Sequence, residues 1–245
     1  MPEKYDLTEH LKSEHQVSPF QTYLKEIVYG GNDGIVTTFA VVAGFTGAQA
    51  GTSIPTYSIL TVLLFGLANL FADSASMGLG NFLSVRSGQD NYKRQKAKEL
   101  YEIRNHPEME LKETRQILKN KGYTEAEATQ MAQLYAKNED YWLEFMMNQE
   151  LELPNPTNEK AHLTALATTT AFIAFGFIPL IPYLFTNNSA TAFSYSLIAT
   201  AIALVLLGLL RWKITKESLA KSVLEIVIVG STAASIAFAV GTFFK

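Results

Sequence analysis

The stretch Asn69 to Ser84 reads NLFADSASMGLGNFLS. Drawn as a helix, it places Asn69, Asp73, Met77 and Asn81 on one i, i+4 row, and Ala68, Ala72, Ser76, Gly80 and Ser84 on the adjacent row. The first row offers oxygen and sulfur ligands to a metal ion, and the second lets another helix come close. Gly34 to Ala72 is a run of 39 residues without Asp, Glu, Lys, Arg or His, so Asp33 and Asp73 bracket a membrane-type segment. A carboxylate in a bilayer costs roughly 2.5 to 3.5 kcal/mol even on insertion scales, which makes each a functional candidate. With a hairpin turn near Ile54, Asp33 and Met77 would sit at similar depth, Asp73 one helical turn deeper, and Asn32 and Asn69 would add amide oxygens. Carboxylates, amide oxygens and a thioether suit a borderline ion such as Fe²⁺ better than Mg²⁺ or Ca²⁺, for which sulfur has no use. Each residue also has a plainer reading: Asp33 as a helix N-terminal cap at the water boundary, Met77 as packing.

A second constellation follows: Glu99-x-x-Glu102, Glu110-x-x-Glu113 and Met146-Met147-x-x-Glu150. Each ExxE pair projects both carboxylates from one helical face, so three such helices could surround one or more metal ions. A solvated acidic surface is the bland alternative, and adjacent exposed methionines beside a glutamate are what argue against it. A ferritin-like di-iron oxidase would need two Glu-x-x-His motifs, and only Glu159-x-x-His162 has that spacing. With no Ser-His-Asp grouping, Walker loop or strand-coupled GxGxxG, an enzyme is not expected. The chain has no cysteine, which removes disulfides and thiolate chemistry and leaves Met as the one soft ligand.

The elements that must position these residues are segregated by charge. Mean hydropathy is only +0.08, but residues 86–160 hold 14 of the 23 acids and 12 of the 20 bases, leaving long neutral runs elsewhere. Gly34 to Ala72 and Leu163 to Leu210 are each long enough for two bilayer crossings, and Ile226 to Phe244 for one. The expected fold is therefore all-α and polytopic, with five transmembrane helices and a three-helix insert between the second and third. The domain plan is a polar tail (1–19), an interfacial helix with transmembrane helices 1 and 2 (20–88), a helical metal-binding domain (89–160) and transmembrane helices 3 to 5 (161–245).

Phe20, Leu24, Ile27 and Val28 share a face, as in a short helix on the membrane surface or as the start of the first crossing itself. Ala40, Gly44 and Ala48, and Gly47 with Gly51, form small-xxx-small series. In the insert, the first helix continues from the membrane to about Arg104. Pro107 opens the second, which ends near Lys121-Gly122, and a Thr124/Glu127 capping box starts a third running to about Leu151. Pro179 and Pro182 must kink or close the third crossing.

Lys and Arg crowd the exit after Arg86 and the turn from Arg211 to Lys221, whereas Thr52 to Tyr57 and Thr186 to Ala192 have none. This predicts a cytoplasmic N-terminus and insert, with Lys245 on the far side. The first 20 residues contain no apolar core of the kind a cleaved signal needs. A net charge of −3 suggests no nucleic-acid partner.

GGNDGIVTTFAVVAGFTGA, then LFADSASMGLGNFLS, a Glu-rich insert ending in WLEFMMNQELEL, and FIPLIPY together closely resemble the vacuolar iron transporter family, in the same order over residues 20–245. The resemblance implies a five-helix homodimer in the lipid bilayer that moves Fe²⁺, and in some members Mn²⁺ or related ions such as Co²⁺ or Zn²⁺, out of the cytoplasm in exchange for protons. It implies Asp33 and Met77 as pore residues, and Glu99, Glu102, Glu110, Glu113, Met146, Met147 and Glu150 as a metal-collecting set, with no prosthetic group. Where members of the family can carry a glutamate two turns before the pore methionine, this chain has Asn69, leaving Asp73 as the substitute carboxylate. The alternatives are a membrane-anchored iron buffer or sensor that transports nothing, and a manganese or broad divalent exporter. The expected location is a prokaryotic plasma membrane, with a vacuolar membrane as the alternative.

Overall fold

The computed structural model describes residues 18–49 and 58–243, and all regular structure among them is helical. The expected polar tail up to residue 17, the turn around Thr52 to Tyr57, Gly51 and Lys245 lie outside the described residues. The chain divides into two compact units: the residues up to Asn81 together with those from His162 onward, and Phe82–Ala161.

In the first unit, Ser18 and Gln21 form a reciprocal capping box that starts α1 (Pro19–Thr22). After Tyr23 the helix resumes as α2 (Leu24–Gln49). Leu24, Ile27 and Val28 therefore lie in the first turns of α2, while Phe20 belongs to α1. α3 (Ile59–Asn105, 47 residues) starts in this unit and continues into the second. α7 (Ala161–Gly176) is followed by a 3₁₀ turn at Ile178–Leu180 and the short α8 (Ile181–Phe185). Pro179 and Pro182 cause the break, and the Ser196 hydroxyl donates to the Pro179 carbonyl at 2.6 Å. α9 (Ser189–Thr215) is capped by the Asn188 side chain and ends at Lys216, which adopts the left-handed conformation. α10 (Leu219–Thr242) completes the unit.

α3, the α7–α8 segment, α9 and α10 are each long and apolar enough to cross a membrane. The expectation was five such helices. α2 has the length, but Asn32, Asp33 and its glycines dilute its apolar character. Large apolar side chains such as Leu60, Leu64, Leu79, Ile198, Ile202 and Leu206 are exposed around these helices, as a lipid-facing surface requires. Inside, Phe39, Leu70, Phe172, Leu180 and Tyr183 form one buried cluster, and Ile35, Leu204, Leu207 and Ile226 another. α2 is drawn tightly against α7 because Gly30 and Gly34 have no Cβ. A Cβ on Gly30 would lie 2.6 Å from the Thr168 carbonyl oxygen, and one on Gly34 would meet the Phe172 backbone.

The second unit contains the end of α3, then α4 (Pro107–Asn120), α5 (Glu125–Tyr135) and α6 (Glu139–Gln149). Pro107 and the Thr124/Glu127 capping box act as the sequence predicts. The single third helix expected up to about Leu151 is instead two. Asn138 accepts from the Tyr141 amide and restarts the chain as α6, with Glu139 and Asp140 in its first turn. The core is Tyr92, Ile103, Trp142, Leu143, Met146 and Met147.

Candidate metal centres

α3 brings Glu99, the first turn of α4 brings Glu110, and the end of α6 brings Glu150 to one place. One carboxylate oxygen from each lies within 4.8 Å of the others. Among the described residues this is the single group of three or more His, Asp or Glu side chains so arranged. Glu99 and Glu110 are 3% and 5% exposed, and Glu99 Oε1 and Glu110 Oε2 have no hydrogen-bond partner. Glu102 and Glu113, partly buried, line an adjoining polar pocket of about 770 Å³ with Glu110 and Glu150. Lys98 enters the same pocket and pairs with Glu102 at 3.4 Å.

This crowding has electrostatic consequences. Burial, then the charges of Glu150 and Glu110, push the Glu99 carboxyl up to about 8. Burial, then Glu113, pushes Glu110 up to about 7, and burial with Glu113 and Glu102 raises Glu150. Buried carboxyls without a counter-charge must hold protons or take a cation. A divalent cation would satisfy the orphaned oxygens and replace the shared proton.

Met146 and Met147 are not exposed, contrary to expectation: both are 0% exposed. Their side chains fill the core of this unit with Trp142 and Leu143, because α6 turns its apolar face inward. Thr114, buried on α4, organises them. Its hydroxyl donates to the Glu110 carbonyl at 2.7 Å and lies 3.3 Å from Met146 Sδ, while Trp142 Nε1 donates to it at 2.7 Å. Sequence reasoning missed Thr114 and Trp142. The i, i+4 spacings Glu110–Thr114 and Trp142–Met146 were the available signal.

In the first unit, Asp33 lies on α2, and Asp73 and Met77 lie on α3, all half-buried. Asn69 Nδ2 donates to Asp73 Oδ2 at 2.8 Å, which fixes that carboxylate, and Asp33 is within electrostatic reach of Asp73. Met77 packs against the cluster containing Phe39, Leu70 and Phe172. Asn32 is placed with Arg211 and Glu225 rather than with these groups. Asn81, on the same row as Met77, donates to Thr168 Oγ1 at 2.8 Å. Ala40, Gly44 and Ala48 of α2 face Ala68, Asn69 and Ala72 of α3 across an open groove that α10 completes.

Residues 24–242 match the VIT family. The chain is 33% identical over 237 residues to vacuolar iron transporter 1 of Arabidopsis thaliana, covering 97% of this chain and 91% of that protein. It is 34% identical to the vacuolar iron transporter of Centaurea cyanus, covering 96% and 92% of the two chains. To the vacuolar iron transporter of Toxoplasma gondii it is 31% identical, covering 98% and 81%.

Proposed function

From a chain that belongs to the VIT family, we propose a transporter that moves Fe²⁺ out of the cytoplasm in exchange for protons. It is a multi-pass membrane protein, and its relatives are named as transporters, not enzymes. The observation that carries the metal reading is the triad Glu99, Glu110 and Glu150, two of them buried, with carboxylate oxygens that lack any partner. Glu102 and Glu113 extend this set at the open pocket. The ion collected there passes to Asp33 and Met77. Asp73, held by Asn69, is the carboxylate that takes the proton role of the glutamate the chain lacks.

On this reading α2 is the fifth crossing, and Gln89 to Lys160 and the N-terminus are cytoplasmic. The open groove of small residues on α2 and α3 suits a homodimer contact, with the ion path between subunits. The relatives named vacuolar transporters are plant and parasite proteins, which favours a vacuole-type membrane over the prokaryotic plasma membrane. Mn²⁺, Co²⁺ and Zn²⁺ are further candidates for the same ligands, since selectivity follows geometry and availability.

The test is anaerobic Fe²⁺ flux into proteoliposomes with and without a proton gradient, for the native chain and Asp33→Ala. Flux that needs both the gradient and Asp33 supports the proposal. Binding without flux in either condition would replace it with an anchored buffer, and flux indifferent to the gradient would remove the proton coupling.

A further inference from the structure

A groove of about 550 Å³ runs between α2, α9 and α10 in the first unit. Three helices each present one stripe to it. α2 contributes Lys25, Tyr29 and Asn32 at i, i+4 and i+7; α9 contributes Arg211 and Thr215; α10 contributes Glu225. Leu24, Val28, Ile226 and Val229 line the rest. Arg211 Nη1 and Glu225 Oε2 pair at 2.7 Å, so within the groove their charges offset each other. Lys25 makes no ion pair among the described residues and is left as the excess cation. Asn32 Oδ1 is buried and has no hydrogen-bond partner. Tyr29, in the groove, and Trp212, at the end of α9, are 62% and 40% exposed, the amphipathic aromatics typical of a membrane–water boundary.

We propose that this groove binds an anionic phospholipid with a hydroxylated headgroup. The Lys25 ammonium, the Tyr29 hydroxyl and the outward face of the Arg211 guanidinium take the phosphate. The Asn32 oxygen accepts from a headgroup hydroxyl. The apolar stripe of Leu24, Val28, Ile226 and Val229 receives the start of an acyl chain. Two features select a lipid over a soluble anion. The polar groups occupy a groove whose remaining wall is apolar, and two of its three helices, α9 and α10, are long and apolar enough to cross a membrane.

The other side of α2 supplies an internal comparison. There Phe20, Tyr23 and Ile27 face Leu166 and Thr170 of α7 in a groove of about 510 Å³ without a charged residue. Lipid also reaches this groove, but nothing in it distinguishes headgroups. Because Asn32 precedes Asp33, an anionic lipid seated in the charged groove would steady the turn of α2 that carries the Asp33 carboxylate.

The experiment uses the full-length chain in bilayers of phosphatidylcholine with phosphatidylglycerol, one lipid at a time being brominated. Tyr29→Trp is the reporter, its indole N–H replacing the Tyr29 hydroxyl as the donor, and emission from the two native tryptophans is subtracted with the unsubstituted chain. Brominated phosphatidylglycerol is expected to quench the reporter about fivefold more effectively than brominated phosphatidylcholine, the weight of one cation at a lipid surface. Lys25→Gln, an exposed substitution, should bring that ratio to parity. Phe20→Trp in the uncharged groove should show no preference, and millimolar inorganic phosphate should displace nothing. Equal quenching by the two lipids overturns the proposal, as does a preference that survives Lys25→Gln. The same preference at Phe20→Trp would reduce it to general surface charge, and displacement by phosphate would make the site one for a free anion.

Discussion

Glu99→Gln is the substitution that separates a metal site from an ordinary acidic surface, because it should act in opposite directions on the empty and the loaded protein. Without metal, Glu99 is protonated over much of the accessible range, and a glutamine is nearly isosteric with that form. Its carboxyl is raised from 4.5 to about 8 in the folded state. The stability it contributes is therefore full below about 4.5 and is lost as pH rises through about 8. At 1.36 kcal/mol per pH unit the interval sets an upper bound of about 5 kcal/mol. Because the proton is shared with Glu110, about 2 to 3 kcal/mol is the working figure. Near pH 4.5 the variant and the native chain should coincide. At pH 8 in chelator, the variant should unfold about 10 °C higher, from the usual conversion for a domain of this size. The assay is thermal unfolding followed by Trp142 emission in a Trp212→Phe background, since Trp142 is 3% exposed in the core of the same unit. Added Fe²⁺ or Mn²⁺ should reverse the order at pH 8, raising the native midpoint more than that of the variant. A native midpoint unchanged from pH 4.5 to 8 in chelator, or a variant less stable than native at pH 8, would refute the reasoning.

Alanine at Asp33 or Met77 should abolish Fe²⁺ flux in proteoliposomes, whereas alanine at Glu102 or Glu113 should raise the Fe²⁺ concentration needed for half-maximal flux and leave some transport. Equal loss from both kinds would contradict a division between capture and conduction. Thr114→Val should lower the melting point of the second unit by the equivalent of about 1 to 3 kcal/mol, because it leaves the buried Trp142 Nε1 without an acceptor; urea or thermal unfolding measures this. Gly34→Ala should cost about 1 to 3 kcal/mol or prevent folding, since its Cβ would meet the Phe172 backbone. Gly80→Ala, with nothing within 4 Å, should be tolerated, and size-exclusion profiles of the two variants in detergent would show the contrast.

What the sequence made legible was local. Pro107 at a helix start, the Thr124/Glu127 box and the long α3 are set by residues a turn apart, and the structure has them there. Asn138 followed by Glu139 and Asp140 was a signal of the same kind, outweighed by the apolar pattern on both sides of it. Periodicity also put Glu99 with Glu102, and Glu110 with Glu113, on shared faces. It could not tell that Glu99 and Glu110 are the buried members, because that depends on where α6 ends and what it covers. The burial of Met146 and Met147 was hidden for the same reason: a Met pair reads alike whether its face meets solvent or another helix. Uncharged runs predict five crossings, and α2, with its polar and glycine residues, is the one whose described residues do not reach the apolar character of the other four.

The hydrogen bond from Ser196 to the Pro179 carbonyl bears on biogenesis. A proline supplies no N–H to the turn before it, and a backbone carbonyl left unpaired in lipid costs several kcal/mol. The Pro179 carbonyl takes its side-chain donor from α9, which is synthesised afterwards. The broken α7–α8 segment is thus an incomplete passenger until α9 arrives beside it, and the two should leave the insertion machinery together as a helical hairpin, with Ser196 as the latch that closes it.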